Sequence, residues 1–257
     1  MSEYETIGGM SRRTLLGSAT AGAAVAMSGL FETSAIGAPP PGTANPAPPS
    51  LRPEQVLLQL KRGNAAFLAG RSVEGDVKGR RRLSIARAQY PIAVLVSCSD
   101  SRVPPEVLFG KGLGELFIIR NAGNTIDTAA MGSLEYAVAE LNVPLVVVMG
   151  HERCGAVAAA VSVVEKGATF PGSIGRMVEP IVPAVLDARR HGAADLLDAS
   201  VRENVRRTVG RLREFSEPMI LDRIKTGKLR VVGARYDLDD GKVEFFDEGP
   251  VQPRATM

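Results

Sequence analysis

The chain has no tryptophan, and aromatic residues fill only 5% of its 257 positions. Proteins that hold single-stranded nucleic acid stack bases on aromatic rings, and this composition leaves few rings for such a platform. Charges of the two signs nearly balance, 31 Lys and Arg against 28 Asp and Glu, so no strong field draws the chain to a polyanion. Arg80-Arg81-Arg82 is the one run of three basic residues and reads as a solvated helix face or as ion-pair partners. Nucleic acid is therefore not an expected partner. There are only two cysteines, and in an exported chain such a pair most often forms a disulfide or sits buried and inert. No apolar stretch reaches the roughly 20 residues that a membrane-spanning helix needs, so no stable span is expected.

What is present begins with a leader. Ser11-Arg12-Arg13-Thr14-Leu15-Leu16 precedes a weakly apolar stretch, Leu15 to Leu30, rich in Ala and Gly. This resembles a bacterial twin-arginine export signal. A spanning helix is the competing reading, but the stretch is about 16 residues long and is diluted by Gly17, Gly22 and Gly29. Cleavage could follow Ala35 or Ala38, and Pro39 favours the earlier site. Residues 1–38 are thus expected to be an export signal, and the product periplasmic or secreted. Residues 39–52 form a linker: seven prolines lie among small polar residues from Pro39 to Pro53. Residues 53–257 are left as one catalytic domain.

Within that domain, periodicity sets the elements. Pro53–Ala69 reads as a helix with Pro at its first position and a stripe of Val56, Leu57, Leu60, Ala65, Phe67 and Leu68. Ser72–Ala88 is a basic loop with a short helix. Ile92–Ser97, Glu115–Ile119, Leu145–Met149, Lys228–Tyr236 and Val243–Phe246 read as strands. Thr128–Glu140 is a helix with Ala129, Leu134, Val138 and Leu141 inward, capped by Asp127 or Thr125. Ala156–Glu165, Ile174–Arg189, Ala194–Phe215 and Pro218–Lys225 are also helical. Asp239-Asp240-Gly241-Lys242 makes a hairpin turn, so the last strand runs antiparallel. The fold class is α/β: a mainly parallel four-stranded sheet with an antiparallel fifth strand, flanked by helices, with an N-terminal helical arm.

Both cysteines and one of the two histidines fall at strand ends. Cys98 follows the first apolar run, and His151-Glu152-Arg153-Cys154-Gly155 follows the third. Ligands of open α/β sheets bind outside the carboxyl ends of the strands. If the two strands are neighbours, Cys98 and His151 lie side by side, with Cys154 near a helix N-terminus that lowers its thiol pKa. Gly155 would let the backbone approach a metal closely. Two thiolates and an imidazole suit zinc, and three protein ligands leave a position for water or substrate. A disulfide, inert buried cysteines and a thiol-nucleophile enzyme are the other readings of these residues.

Three segments carry a family resemblance: Cys98-Ser99-Asp100-Ser101-Arg102-Val103-Pro104, Gly114-Glu115-Leu116-Phe117-Ile118-Ile119-Arg120-Asn121, and Gly150-His151-x-x-Cys154-Gly155-Ala156. Together they resemble the β-class carbonic anhydrases, over a stretch from about Pro53 to the region of Asp247. The resemblance implies one Zn²⁺ per chain bound by Cys98, His151 and Cys154. It implies an Asp100–Arg102 dyad in which Asp100 accepts the proton of a zinc-bound hydroxide and turns its lone pair toward carbon dioxide. The reaction implied is reversible hydration of carbon dioxide to bicarbonate. An Asp100 released by Arg102 could itself ligate zinc, as in the inactive form of part of the family. Gln89 matches a substrate-binding glutamine, and Leu95 stands where closing members often carry tryptophan, so the open form is implied. Phe117 and Tyr136 match residues lining the substrate pocket, with core packing as the alternative for each. A homodimer or higher homo-oligomer is implied, with the N-terminal helix reaching across the partner and the sheet continuing between subunits. Rival readings are a hydrolase of carbon disulfide or carbonyl sulfide, and a zinc protein whose fourth position Asp100 fills permanently.

Overall fold

The five strands form one sheet in the order β2-β1-β3-β4-β5. Their ranges are β1 (Ala93–Cys98), β2 (Leu116–Asn121), β3 (Leu145–His151), β4 (Arg230–Tyr236) and β5 (Val243–Asp247). A computed structural model of the chain describes residues 51–71, 76–214 and 216–247. The signal expected at 1–38 and nearly all of the linker lie outside the described residues. The first four strands are mutually parallel and β5 pairs antiparallel to β4, as the hairpin turn predicts.

Every residue of β1 and β3 is buried, which is why both read as continuous apolar runs rather than as alternating ones. The two faces still divide with period two. Val94, Val96, Val146 and Val148 meet one layer, made by α4 (Thr128–Ala139), α8 (Leu196–Glu214) and α9 (Pro218–Lys225) through Leu134, Val138, Val205, Leu212 and Ile220. Leu95, Val147, Met149 and Val232 meet the other layer, made by α1 (Pro53–Leu68) and α3 (Pro105–Leu108) through Val56, Leu57, Leu60 and Leu108. A third cluster caps the carboxyl end of the sheet. There Cys98 and Cys154 pack with Val157, Ile181, Val185 and Val201 from α5 (Gly155–Lys166), α7 (Val182–Arg190) and their neighbours. Each large aliphatic side chain so buried is worth about 1.5–3 kcal/mol relative to exposure.

Several details depart from the sequence reading, each for a local reason. The single helix expected over Ile174–Arg189 is broken into α6 (Gly172–Val178), a 3-10 turn (Glu179–Ile181) and α7. Pro180 and Pro183 supply no amide hydrogen to continue the ladder. In α4 the inward position is Ala130, and Ala129 is exposed; Asp127 caps the helix by accepting from the Ala130 amide at 2.8 Å. In α1, Ala65 and Leu68 are exposed, while the polar Asn64 is buried. Its amide donates to the Gly241 carbonyl at 3.0 Å and its Oδ1 accepts from the Val243 amide at 2.9 Å. The helix is thereby tied to the β4–β5 hairpin of its own chain. The short helix in the basic segment is α2 (Gly79–Ser84), where Arg81 donates to the Leu113 carbonyl.

Candidate metal centre

Strand β1 has β2 on one side and β3 on the other, so the crossovers leave in opposite directions at the β1–β3 boundary. That boundary is the topological switch point, where an open α/β sheet forms a crevice at its carboxyl edge. Cys98 ends β1 and His151 ends β3, and the register Ser97↔Met149 brings them to adjacent levels of the sheet, one residue apart. The chain then turns through Glu152 and Arg153, and Cys154 is the N-cap of α5. One atom from each of Cys98, His151 and Cys154 lies within 4.8 Å of the others, and all three residues are buried.

The histidine is oriented by its own neighbour. Its Nδ1–H donates to the Glu152 carbonyl at 2.9 Å. That tautomer turns the lone pair of Nε2 toward the two sulfurs. Nε2 is fully buried and has no hydrogen-bond partner. An orphaned buried acceptor is costly, and a cation between it and the sulfurs would satisfy it. The cysteines are free thiols 4.0 Å apart. The Cys98 thiol is pushed down, chiefly by the hydrogen bond from Cys154 and also by the Gly123 amide, which reaches its sulfur at 3.4 Å. Cys154 is pushed up, first by its bond to Cys98 and then by burial. The amides of Ala156 and Val157 at the start of α5 do lower it, as the helix N-terminus predicts, but the neighbouring sulfur and burial outweigh them. A divalent cation binds thiolates, so it would displace thiol protons from these two sulfurs. The donor set of two sulfurs and one imidazole fits zinc.

Asp100 borders this group. Its Oδ2 lies 3.8 Å from His151 Nε2. Arg102 holds the carboxylate by a fork, Nε to Oδ1 at 3.0 Å and Nη2 to Oδ2 at 2.7 Å, and the Arg102 amide adds a third bond at 2.9 Å. These bonds keep the Asp100 carboxyl well below the usual carboxylate range, so it is an acceptor at any ordinary pH.

Other expected site residues stand elsewhere in the chain. Phe117 pairs with Val94, and Asn121 pairs with Cys98, so Phe117 lies four positions, roughly 13 Å, down the sheet from the level of Cys98. Tyr136 stays with it, ring centroids 6.5 Å apart, and is 43% exposed. Gln89 is exposed and precedes the amino end of β1, opposite the metal end. Within one chain these three do not join Cys98, His151 and Cys154. Gly155 is exposed, and a Cβ there would touch nothing within 4 Å, so no protein atom requires glycine at this position.

Some contributors were not singled out from the sequence. Arg120 donates to the carbonyls of Cys98 and Asp100 at 2.8 and 2.6 Å. Asn204 of α8 is 3% exposed and donates to the Gly123 carbonyl at 2.8 Å. It stands on the same stripe as Val201, Val205 and Leu212, and a polar residue in an apolar stripe signals a buried partner. Gly123 has φ +80, and a Cβ there would lie 2.6 Å from Ile181 Cδ1, so the turn that reaches Cys98 accepts only glycine without displacement.

Comparison with known proteins agrees with this geometry. The sequence model of the family described as carbonic anhydrase matches residues 93–243. Carbonic anhydrase 2 of Mycobacterium tuberculosis is 43% identical over 200 residues, covering 77% of this chain and 95% of the relative. A carbonic anhydrase of Mycolicibacterium smegmatis is 40% identical over 197 residues, with the same coverage, 77% and 95%. Among solved structures, the β-carbonic anhydrase CcaA superposes with a TM-score of 0.57 at 28% identity, covering 74% of this chain and 95% of that one. A Coccomyxa β-carbonic anhydrase in complex with acetazolamide gives 0.57 at 28% identity, covering 74% and 84%. A family match that begins at the first residue of β1 and ends at the first of β5 takes in all four parallel strands together with Cys98, His151 and Cys154, and this chain belongs to the carbonic anhydrases, in their β class.

Proposed function

We propose that the chain catalyses the zinc-dependent, reversible hydration of carbon dioxide to bicarbonate and a proton, with Zn²⁺ held by Cys98, His151 and Cys154. The observation that carries the zinc is the fully buried, unpartnered Nε2 of His151 facing two cysteine sulfurs. A zinc ion, when bound, supplies a Lewis acid that makes water acidic, the behaviour for which carbonic anhydrases are the usual example. The rest is the work of the chain. Asp100 presents an acceptor 3.8 Å from the imidazole, on the side where the reacting oxygen would sit. Arg102 keeps that acceptor ionised and aimed, and it restrains Asp100 from turning onto the metal. Arg120 fixes the backbone from Cys98 to Asp100. The space beside Gly155 leaves room for a small linear substrate.

The same reading extends to assembly and location. Strand β2 is a sheet edge, and its Leu116, Phe117 and Ile118 are only half-buried. The exposed Gln89 and Tyr136 lie too far from their own chain's ligands to serve them. A homodimer or higher homo-oligomer joined along this edge would let them line the site of the other subunit. The Arg12-Arg13 leader supports export, giving a periplasmic or secreted enzyme, and no helix among the described residues is long and apolar enough to cross a membrane. The test is elemental analysis of the purified protein together with stopped-flow carbon dioxide hydration. About one zinc per chain, with activity lost in Asp100→Asn, is expected; an active protein free of zinc would refute the assignment.

A further inference from the structure

The two residues between His151 and Cys154 set the distance between two of the three metal ligands, and one of them is strained. Arg153 has φ +50, in the left-handed region that costs any residue but glycine. The side chains explain what holds it there. Arg153 grips Asp239 as a fork, Nη1 to Oδ2 at 2.9 Å and Nη2 to Oδ1 at 2.6 Å. Its Nη1 also donates to Glu152 Oε1 at 2.9 Å. The other oxygen of Glu152 accepts from the Leu238 amide at 3.1 Å. The Glu152 amide donates to the Tyr236 carbonyl at 2.9 Å, continuing the β3–β4 ladder. The turn that receives these bonds is itself braced, since Asp237 Oδ1 accepts from the amide of Asp239 at 2.9 Å. Glu152, Asp237 and Asp239 cluster closely enough to suggest a cation site, but each carboxylate is already engaged by an arginine or an amide. The cluster is therefore one half of a clamp.

We propose that the β4–β5 turn is a splint for the metal site: Asp239, through Arg153 and with the Glu152 bridge, holds the left-handed backbone that fixes the span from His151 to Cys154, and so sets how firmly the chain retains its metal. Asp239, Glu152 and Arg153 are positioning residues, and none of them touches the metal or the substrate. The proposal rests on the zinc assignment made above. Partners that orient ligating residues typically change metal affinity by about 10–100-fold. The Asp239 side chain is 71% exposed, so its loss should spare the core.

The experiment is a double-mutant cycle read as the rate of zinc transfer to a chromogenic chelator. Asp239→Ala should release zinc about tenfold faster than the unmodified chain, with a melting temperature little changed. Arg153→Gly puts at that position the residue that adopts this backbone freely. Adding Asp239→Ala to Arg153→Gly should then change the release rate by less than about twofold. Cobalt-substituted protein should show altered visible absorption in Asp239→Ala and an unaltered spectrum on adding the same change to Arg153→Gly. Because the fork is exposed, raising salt should speed zinc release from the unmodified chain and leave Asp239→Ala unaffected. If the unmodified chain retains zinc and Asp239→Ala releases it no faster, the splint is refuted while the zinc assignment stands. If Asp239→Ala acts equally in both backgrounds, the proposed action through the Arg153 backbone is wrong. If the unmodified chain takes up no zinc, the zinc assignment fails and the splint with it.

Discussion

Asn204→Ala separates the structure's account of the Cys98 environment from the simple list of ligands. Asn204 lies on α8 and hydrogen-bonds to the turn at Gly123 rather than to Cys98, His151 or Cys154. Its amide donates to the buried Gly123 carbonyl at 2.8 Å, and the amide of the same glycine reaches Cys98 Sγ at 3.4 Å. Alanine removes the donor and leaves a buried carbonyl without it, at a cost of about 1–3 kcal/mol. Alanine is also the better helix former, which returns about 0.6 kcal/mol. The net loss is about 0.5–2.5 kcal/mol. In a domain of this size each kcal/mol lowers the melting temperature by roughly 2–4 °C, so a fall of roughly 1–10 °C is expected, centred near 5 °C. A looser turn should also weaken zinc binding about tenfold through its contact with the Cys98 sulfur. Calorimetry of zinc-loaded and zinc-stripped protein, with a competitive zinc titration, measures both. An unchanged melting temperature with unchanged zinc affinity would show that Asn204 does not brace the turn.

Three further outcomes are expected. Arg102→Ala should abolish most carbon dioxide hydration while zinc stays bound, because Asp100 loses both arms of its fork and can turn toward the metal; loss of zinc together with activity would instead make Arg102 structural. The Asp237 carboxyl is held at about 2, below its ordinary 3.8, chiefly by Arg235. Its contribution to stability is therefore present above about pH 4 and is lost as pH falls toward about 2; amide protection factors across residues 237–243, relative to the intrinsic exchange rate at each pH, that stay constant over this window would contradict it. Residues 1–38 fused to a folded reporter should carry it out of the cytoplasm, and Arg12→Lys with Arg13→Lys should stop this; export that survives the double change would point to another route.

The grouping of Cys98, His151 and Cys154 is legible because Cys98 and His151 each follow a β-branched run, and strand ends in a parallel sheet fall at one edge. Sequence alone leaves the neighbouring of β1 and β3 as a condition, and the pairing supplies it. Helix faces were less legible: one position of rotation separates the expected Ala129 from the observed Ala130. Pro180 and Pro183 were visible, yet the apolar spacing around them still suggested one helix. The clamp on Arg153 could not be read at all, since Asp239 lies 86 residues away and nothing local marks either as a partner. Asn204 is the exception among the long-range contacts, because its place in an apolar stripe announces a buried partner even when that partner is unknown.

Of the three residues proposed to hold zinc, His151 and Cys154 are local, but Cys98 reaches them only when β1 lies against β3. A chain still unfolded therefore has two of its ligands close by, and the third arrives with the central strand pairing. Zinc would bind that paired state far better than any earlier one, and a ligand at 1,000 times its dissociation constant stabilises the state it prefers by about 4 kcal/mol. The metal would thus act as a latch on topology, locking the parallel crossover whose closure is the slowest kind of contact for a chain to find. Zinc uptake during refolding should then keep pace with protection of the β1 and β3 amides and lag behind the formation of the surrounding helices.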